Sequence, residues 1–162
     1  MLLYIRLKIL SVKFFRIFLK KGLTVSFAES CTGGLLSKFI TDIPGSSKIF
    51  PGSVISYSNE LKIKLLKIDK KIIDKHGAVS EITADKMAAG IKKITGSDVS
   101  IGITGIAGPD GGSVEKPVGT VCFGFIVKSK KFLIRKQFSG NRRQVRYKSA
   151  CFALEFIIDK IN

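Results

Sequence analysis

Leu23-Thr24-Val25-Ser26-Phe27-Ala28, then Glu29-Ser30-Cys31-Thr32-Gly33-Gly34, then Leu35-Leu36-Ser37-Lys38-Phe39-Ile40 is the stretch on which the reading of the fold turns. The first six residues have the composition of a short buried strand, and the last six have helical character. Between them lie a hydroxyl, a thiol and two glycines. Ser30 is therefore expected at a helix N-terminus, where unpaired N–H groups and the helix dipole suit a phosphate or the oxyanion of an acyl-transfer intermediate. Local sequence does not choose between these uses.

Outward from this stretch, strands and helices alternate. Ile43-Pro44-Gly45-Ser46-Ser47 punctuates the chain, and Gly52 to Tyr57 reads as a second strand. Helices are expected from Asn59 to about Leu66, over Lys70 to Lys75, and from Ile82 to Ile94, the last with Met87, Ile91 and Ile94 on one side and Gly96 just past its end. Val99 to Ile103 reads as a buried strand entering the glycine-rich stretch Gly105 to Gly112. Val118 to Val127 and Lys131 to Phe138 form a hairpin, and a long helix from about Arg142 closes the chain with Tyr147, Cys151, Leu154, Ile158 and Ile161 at four-three spacing. The order implies one α/β domain over residues 1–162, a layered sandwich in which helices flank a mixed sheet.

Composition narrows the class. With 45% hydrophobic residues the chain can build a substantial core. Cys31, Cys122 and Cys151 are odd in number and unrelated in spacing, so they offer neither a disulfide framework nor a metal knuckle, and a reducing cytoplasmic setting is expected. A single histidine also argues against a His-based metal site. Arg6, Lys8 and Lys13 interrupt the apolar N-terminus, which reads as a basic amphipathic helix rather than a signal peptide or membrane anchor. Its apolar side, Leu7, Leu10, Phe14 and Ile17 or Phe18, is expected to pack on this domain or on a sister subunit, leaving a homo-oligomer open. The formal charge of +16 would attract nucleic acid, anionic lipid or a phosphorylated ligand. Yet the lysines are scattered among Ile and Phe, without an Arg-rich arm or an aromatic RNA-binding signature. No specific nucleic-acid partner and no membrane partner is expected.

Several residues could carry chemistry. Ser30 is a candidate nucleophile outside the Gly-x-Ser-x-Gly elbow, so its base must come from elsewhere. His76 lies at a helix-ending loop and is a poor candidate. Lys62 is better. In the first turn of a helix capped by Asn59, it projects between Leu65 and Leu66 on the wheel, where burial and the dipole would lower its pKa and let it act as a base. The alternative is a lysine snorkelling from a Lys-rich helix. Tyr57 ends the preceding strand and could reach the same pocket, or simply pack its ring. Thr104 to Ser113 follows a strand, the usual place of ligand loops, but matches neither a phosphate-binding P-loop nor a dinucleotide fingerprint. Ser113-Val114-Glu115-Lys116 has the Ser-x-x-Lys spacing, but its neighbouring glycines and Pro117 argue against the helical turn that spacing needs. Cys31 reads as a small buried thiol. Arg142 and Arg146, four apart on one helix face, could clamp a phosphate or carboxylate, or be solvated surface charge.

Ala28 to Gly34, Tyr57-Ser58-Asn59-Glu60-Leu61-Lys62, His76 to Glu81, Gly105 to Ser113, Lys116-Pro117-Val118-Gly119-Thr120 and Phe138-Ser139-Gly140 together resemble the CinA C-terminal domain family over about residues 20 to 160. That family includes stand-alone nicotinamide-nucleotide amidohydrolases. The resemblance implies cofactor-free, metal-free hydrolysis of the carboxamide of nicotinamide mononucleotide to nicotinate mononucleotide and ammonia. Carried onto matching positions, it makes Ser30 the nucleophile, Lys62 its base and later proton donor, and Tyr57 a support for that transfer. The amides of Cys31, Thr32 and Gly33 would hold the oxyanion. The loop containing Thr104, Gly105 and Gly108 would shape the nucleotide pocket, and Arg142 or Arg146 would meet the 5′-phosphate. Asn141 stands where members often have Asp, and the extra N-terminal domain of larger members has no counterpart in these residues. A non-catalytic nucleotide-binding or competence-associated protein of the same fold is the alternative.

Overall fold

The computed structural model describes residues 1–161. Its elements in chain order are α1 (Leu2–Lys21), β1 (Val25–Glu29), α2 (Leu35–Thr41), β2 (Gly52–Ile55), α3 (Asn59–Leu66), α4 (Lys70–His76), α5 (Glu81–Thr95), β3 (Val99–Gly105), β4 (Thr120–Val127), β5 (Lys130–Gln137) and α6 (Arg142–Ile161), with a 3-10 turn at Ser46–Lys48. The five strands form one sheet in the order β2-β1-β3-β4-β5. β1 runs parallel to β2 and β3, whereas β4 is antiparallel to both β3 and β5, so the sheet is mixed as expected.

The two faces of the sheet carry different side chains. Val25 and Phe27 of β1, Val99, Ile101 and Ile103 of β3, and Val121, Phe123 and Phe125 of β4 join a large core with α1, α2 and α6. Alternate positions on the same strands are small: Ser26, Ala28, Ser100, Gly102 and Gly124. Against this face lies α5, whose Met87 and Ile91 pack with Ala28, Leu66, Ile68 and Ile73. Gly102 and Gly124 face each other across the β3–β4 ladder. A Cβ on either would fall on the Ala84 carbonyl of α5, so glycine at both sets how closely the helix approaches. Cover on both faces buries every residue of β1, Ser26 and Glu29 included, while the edge strand β5 is largely exposed.

The first helix packs on its own domain. Leu7, Phe14 and Phe18 are fully buried, and Arg6 pairs with Glu155 of α6 at 2.6 Å. Because α6 is covered by α1 and also covers the sheet, its buried set broadens beyond a single four-three stripe to include Val145, Ala150, Ala153 and Ile157. Two sequence expectations shift. Ile94 is exposed because the inward face of α5 runs through Ala84, Ala88 and Ile91 to Thr95, whose hydroxyl meets Ser26 Oγ of β1 at 3.0 Å. The second strand stops at Ile55, since Ser56 and Tyr57 turn away to start α3. Among the described residues, no helix is long and apolar enough to cross a membrane.

Candidate active site

The carboxyl ends of the three mutually parallel strands deliver the groups of interest to one place. Ser30 follows β1, Ser56 and Tyr57 follow β2, and Thr104 and Gly105 end β3. In the order β2-β1-β3-β4 the connection out of β1 leads to β2 and that out of β3 leads to β4 on the opposite side, which opens between β1 and β3 the crevice where ligands usually bind in such sheets. The Ser30 amide continues the β1–β3 ladder by donating to the Ile103 carbonyl at 2.9 Å. This fixes the nucleophile candidate to the rigid end of the sheet.

Ser30 is not at the helix terminus itself. Residues 31–34 form an intervening turn, and α2 begins at Leu35. The turn is made possible by Gly33 and Gly34, both at positive φ (57° and 85°). The Gly33 amide donates to the Ser30 carbonyl at 3.0 Å, which leaves the amides of Cys31 and Thr32 as the oxyanion candidates within the turn.

Lys62 is inside. Its helix is capped by Ser58 rather than Asn59, with the Ser58 hydroxyl accepting from the Leu61 amide at 3.1 Å. Lys62 lies on the inward face of this helix with 1% of its surface exposed. Its Nζ lies 3.1 Å from Ser30 Oγ and donates to the carbonyls of Ser56 at 2.9 Å and Tyr57 at 3.2 Å. Burial holds the amine below the usual lysine range, with the nearby Cys31 thiol opposing weakly. A lysine stripped of water and placed against a hydroxyl has the geometry of a base and a nucleophile. The Cys31 thiol is pushed up to about 12, chiefly by burial and further by the Glu29 carboxyl, and is inert as a nucleophile.

Ser30, Cys31, Tyr57, Lys62, Thr104, Gly105 and Arg142 all line one cavity of about 190 Å³. The Tyr57 hydroxyl is bonded by Arg142 Nη2 at 2.7 Å, so its carbonyl rather than its hydroxyl meets Lys62. Arg142 Nη1 donates to the Gly108 carbonyl at 2.9 Å, tying the loop after β3 to the start of α6. Thr104 Oγ1 donates to the Ala78 carbonyl at 2.8 Å. Thr32, Gly33, Gly108 and Arg146 stand outside the lining. The Arg146 guanidinium instead grips the Thr32 carbonyl at 2.7 Å.

Sequence reasoning missed Asn59, Ala78, Val79 and Ala107 as lining residues. Asn59 was read only as a cap, and small apolar residues carry no local signal of a pocket. His76 ends α4 and is not part of the cavity lining. Ser113 and Lys116 do not pair through their side chains. Lys116 Nζ donates to the His76 carbonyl at 3.2 Å, as expected for a loop rather than a helical turn. Among the described residues, no three His, Cys, Asp or Glu side chains gather as metal ligands would.

The fold and site define an α/β protein with a serine hydroxyl and a buried lysine adjoining at the carboxyl edge of a mixed sheet. The sequence profile of the CinA C-terminal domain matches residues 8–161, and the chain belongs to that family. The match reaches into α1, beyond the resemblance over residues 20 to 160. A relative from Enterobacter agglomerans named nicotinamide-nucleotide amidohydrolase PncC is 49% identical over 93% of this chain and 92% of its own length. A CinA-like protein of Petrotoga mobilis is 46% identical over 98% of this chain but only 39% of its own length. The chain thus spans about a third of the longer CinA-like relatives it matches. A crystal structure of a CinA superfamily protein from Klebsiella pneumoniae superposes with a TM-score of 0.92 at 30% identity, covering 96% of this chain and 97% of that one. The competence/damage-inducible protein of Agrobacterium tumefaciens gives 0.92 at 34% identity, over 95% and 94% of the two chains.

Proposed function

We propose that this protein hydrolyses the carboxamide of nicotinamide mononucleotide to nicotinate mononucleotide and ammonia, in the cytoplasm, through a Ser30–Lys62 pair. The observation that carries the reading is the 3.1 Å approach of a fully buried lysine amine to a serine hydroxyl. The substrate is taken from the nearly full-length relative whose name specifies a nicotinamide-nucleotide amidohydrolase.

A neutral Lys62 amine has two N–H bonds and one lone pair. The carbonyls of Ser56 and Tyr57 absorb the two N–H bonds, and the lone pair is left for the Ser30 proton. Ser30 Oγ then attacks the amide carbon as its proton passes to Lys62 Nζ. The oxyanion is received by the amides of Cys31 and Thr32, each such donor contributing ~3 kcal/mol to barrier lowering. Collapse breaks the C–N bond, Lys62 returns the proton to the departing nitrogen, and ammonia leaves an acyl ester on Ser30. Water attacks this ester, giving one proton to Lys62 as it adds. The C–O bond to Ser30 breaks, and Lys62 reprotonates the serine. Tyr57 and Arg142 form the rim, with Arg142 available to the 5′-phosphate.

Purified protein is incubated with nicotinamide mononucleotide, and ammonia and nicotinate mononucleotide are quantified beside Ser30→Ala. Turnover abolished by the substitution is the expected result. A folded wild-type protein without turnover would refute the substrate, and equal turnover in Ser30→Ala would refute the nucleophile.

A further inference from the structure

The proton-transfer steps leave unused the buried carboxyl that adjoins the serine. Glu29 is the last residue of β1, precedes Ser30 directly, and is fully buried. A carboxylate in a protein interior is costly unless hydrogen bonds replace its water. Glu29 Oε2 accepts from the Leu36 amide at 3.2 Å, and Oε1 accepts from the Ser37 amide at 2.9 Å and the Ser37 hydroxyl at 2.6 Å. Ser37 Oγ also lies 2.8 Å from Ser53 Oγ of β2. The side chain therefore joins the end of β1 to the first turn of α2 and, through Ser37, to the neighbouring strand.

Between these anchors lies the Ser30–Gly34 turn, whose two glycines at positive φ have no side chains to hold its backbone in place. The main chain of Glu29 serves the other half of the pair. Its carbonyl accepts from the Ser56 amide at 2.9 Å, and the Ser56 carbonyl in turn accepts from Lys62. One residue thus braces both the turn that carries the hydroxyl and the segment that orients the amine.

We propose that Glu29 is a positioning residue, its carboxylate clamping the first turn of α2 to the end of β1 so that Ser30 Oγ stays within reach of Lys62 Nζ. The inference rests on the amidohydrolase reading for its effect on turnover, but not for its effect on the turn. In Glu29→Gln one oxygen is replaced by an N–H donor, which must then face an amide that needs an acceptor.

Two measurements on the full chain test this. Hydrogen exchange of Glu29→Gln is expected to quicken at Leu36, Ser37 and the 31–34 turn while β3 and β4 keep wild-type protection. With nicotinamide mononucleotide, kcat is expected to fall about 10- to 100-fold with KM within about threefold, as for a nucleophile misplaced by about an ångström. Ser37→Ala removes only the hydroxyl donor, so it reads the clamp even if Glu29→Gln does not fold. It should give the same exchange pattern and a kcat loss of about 3- to 10-fold. Unchanged exchange in the turn, an increase spread equally over β3 and β4, or an unchanged kcat would overturn the proposal. Absence of wild-type turnover with local exchange as expected would instead fault the substrate reading and leave the clamp standing.

Discussion

Replacing Lys62 by Met separates catalytic from structural roles, because the two side chains are close in length and the lysine is buried. The wild-type amine makes three polar contacts, to Ser30 Oγ, the Ser56 carbonyl and the Tyr57 carbonyl. Its removal leaves the buried Ser56 carbonyl without its donor, a loss of about 1–3 kcal/mol. This is offset by relief of the desolvated amine, so the net stability change at neutral pH stays within about 2 kcal/mol. Loss of a general base should cost about 10²- to 10⁴-fold in kcat, which is about 3–5 kcal/mol of barrier. The pH dependence supplies an independent check. Because burial lowers the Lys62 pKa from 10.5, the unfolded chain binds more protons than the folded one between the two values. The Lys62 penalty on stability is therefore full below the folded pKa and fades as pH rises toward 10.5. Wild-type kcat/KM should rise through the folded pKa as the amine becomes neutral. Ammonia release from nicotinamide mononucleotide between about pH 6 and 10, with denaturant melts of both proteins, measures all of this. Lys62→Met within tenfold of wild type, or a wild-type profile that falls as pH rises across that range, would refute the base assignment.

Three more outcomes follow from the packing. Burial pushes the thiols of Cys31 and Cys122 up to about 12 and that of Cys151 up to about 11, so iodoacetamide at about pH 8 should label none of them in the native protein and all of them in denaturant; one fast native equivalent would contradict the burial. Arg142→Ala, which strips the cavity rim, should raise KM about tenfold or more with kcat within about threefold, whereas Arg146→Ala, which releases the Thr32 carbonyl, should act mainly on kcat; steady-state kinetics of the two variants would show the reverse split if Arg146 were the phosphate ligand. Gly102→Ala puts a methyl against the backbone of α5 and should destabilise by roughly 3 kcal/mol, or about 6–12 °C in Tm by calorimetry.

Legibility from sequence followed the range of the interactions involved. The strand of Leu23 to Ala28, the helix at α3 and the hairpin of β4 and β5 are set by local pattern, and each appears within about three residues of its expected bounds. Side-chain direction was harder to read. The wheel put Lys62 between Leu65 and Leu66, yet Leu65 is 40% exposed while Leu66 (3%) and Lys62 (1%) are buried. The inward face of α3 is thus narrower than its composition implies, and it is selected by where the helix sits on α5 rather than by its own hydropathy.

The same limit applies to the Ser30 turn, and it explains which parts of the site could not be read. Parallel pairing of β1 with β2 and β3 brings Ser30, Ser56 and Thr104 to one edge, although they lie 26 to 74 positions apart in the chain. No local pattern records that convergence. What the sequence does hold is its by-product: small residues on one face of the central strands, glycines where the chain must turn sharply, and a carboxyl beside the candidate nucleophile at the end of a buried strand. Glu29, directly after Val25-Ser26-Phe27-Ala28, is a conflict between local propensity and burial that the amides of Leu36 and Ser37 and the Ser37 hydroxyl resolve. Such conflicts, tolerated where they hold a reacting group in place, mark the site more sharply than any single candidate nucleophile does.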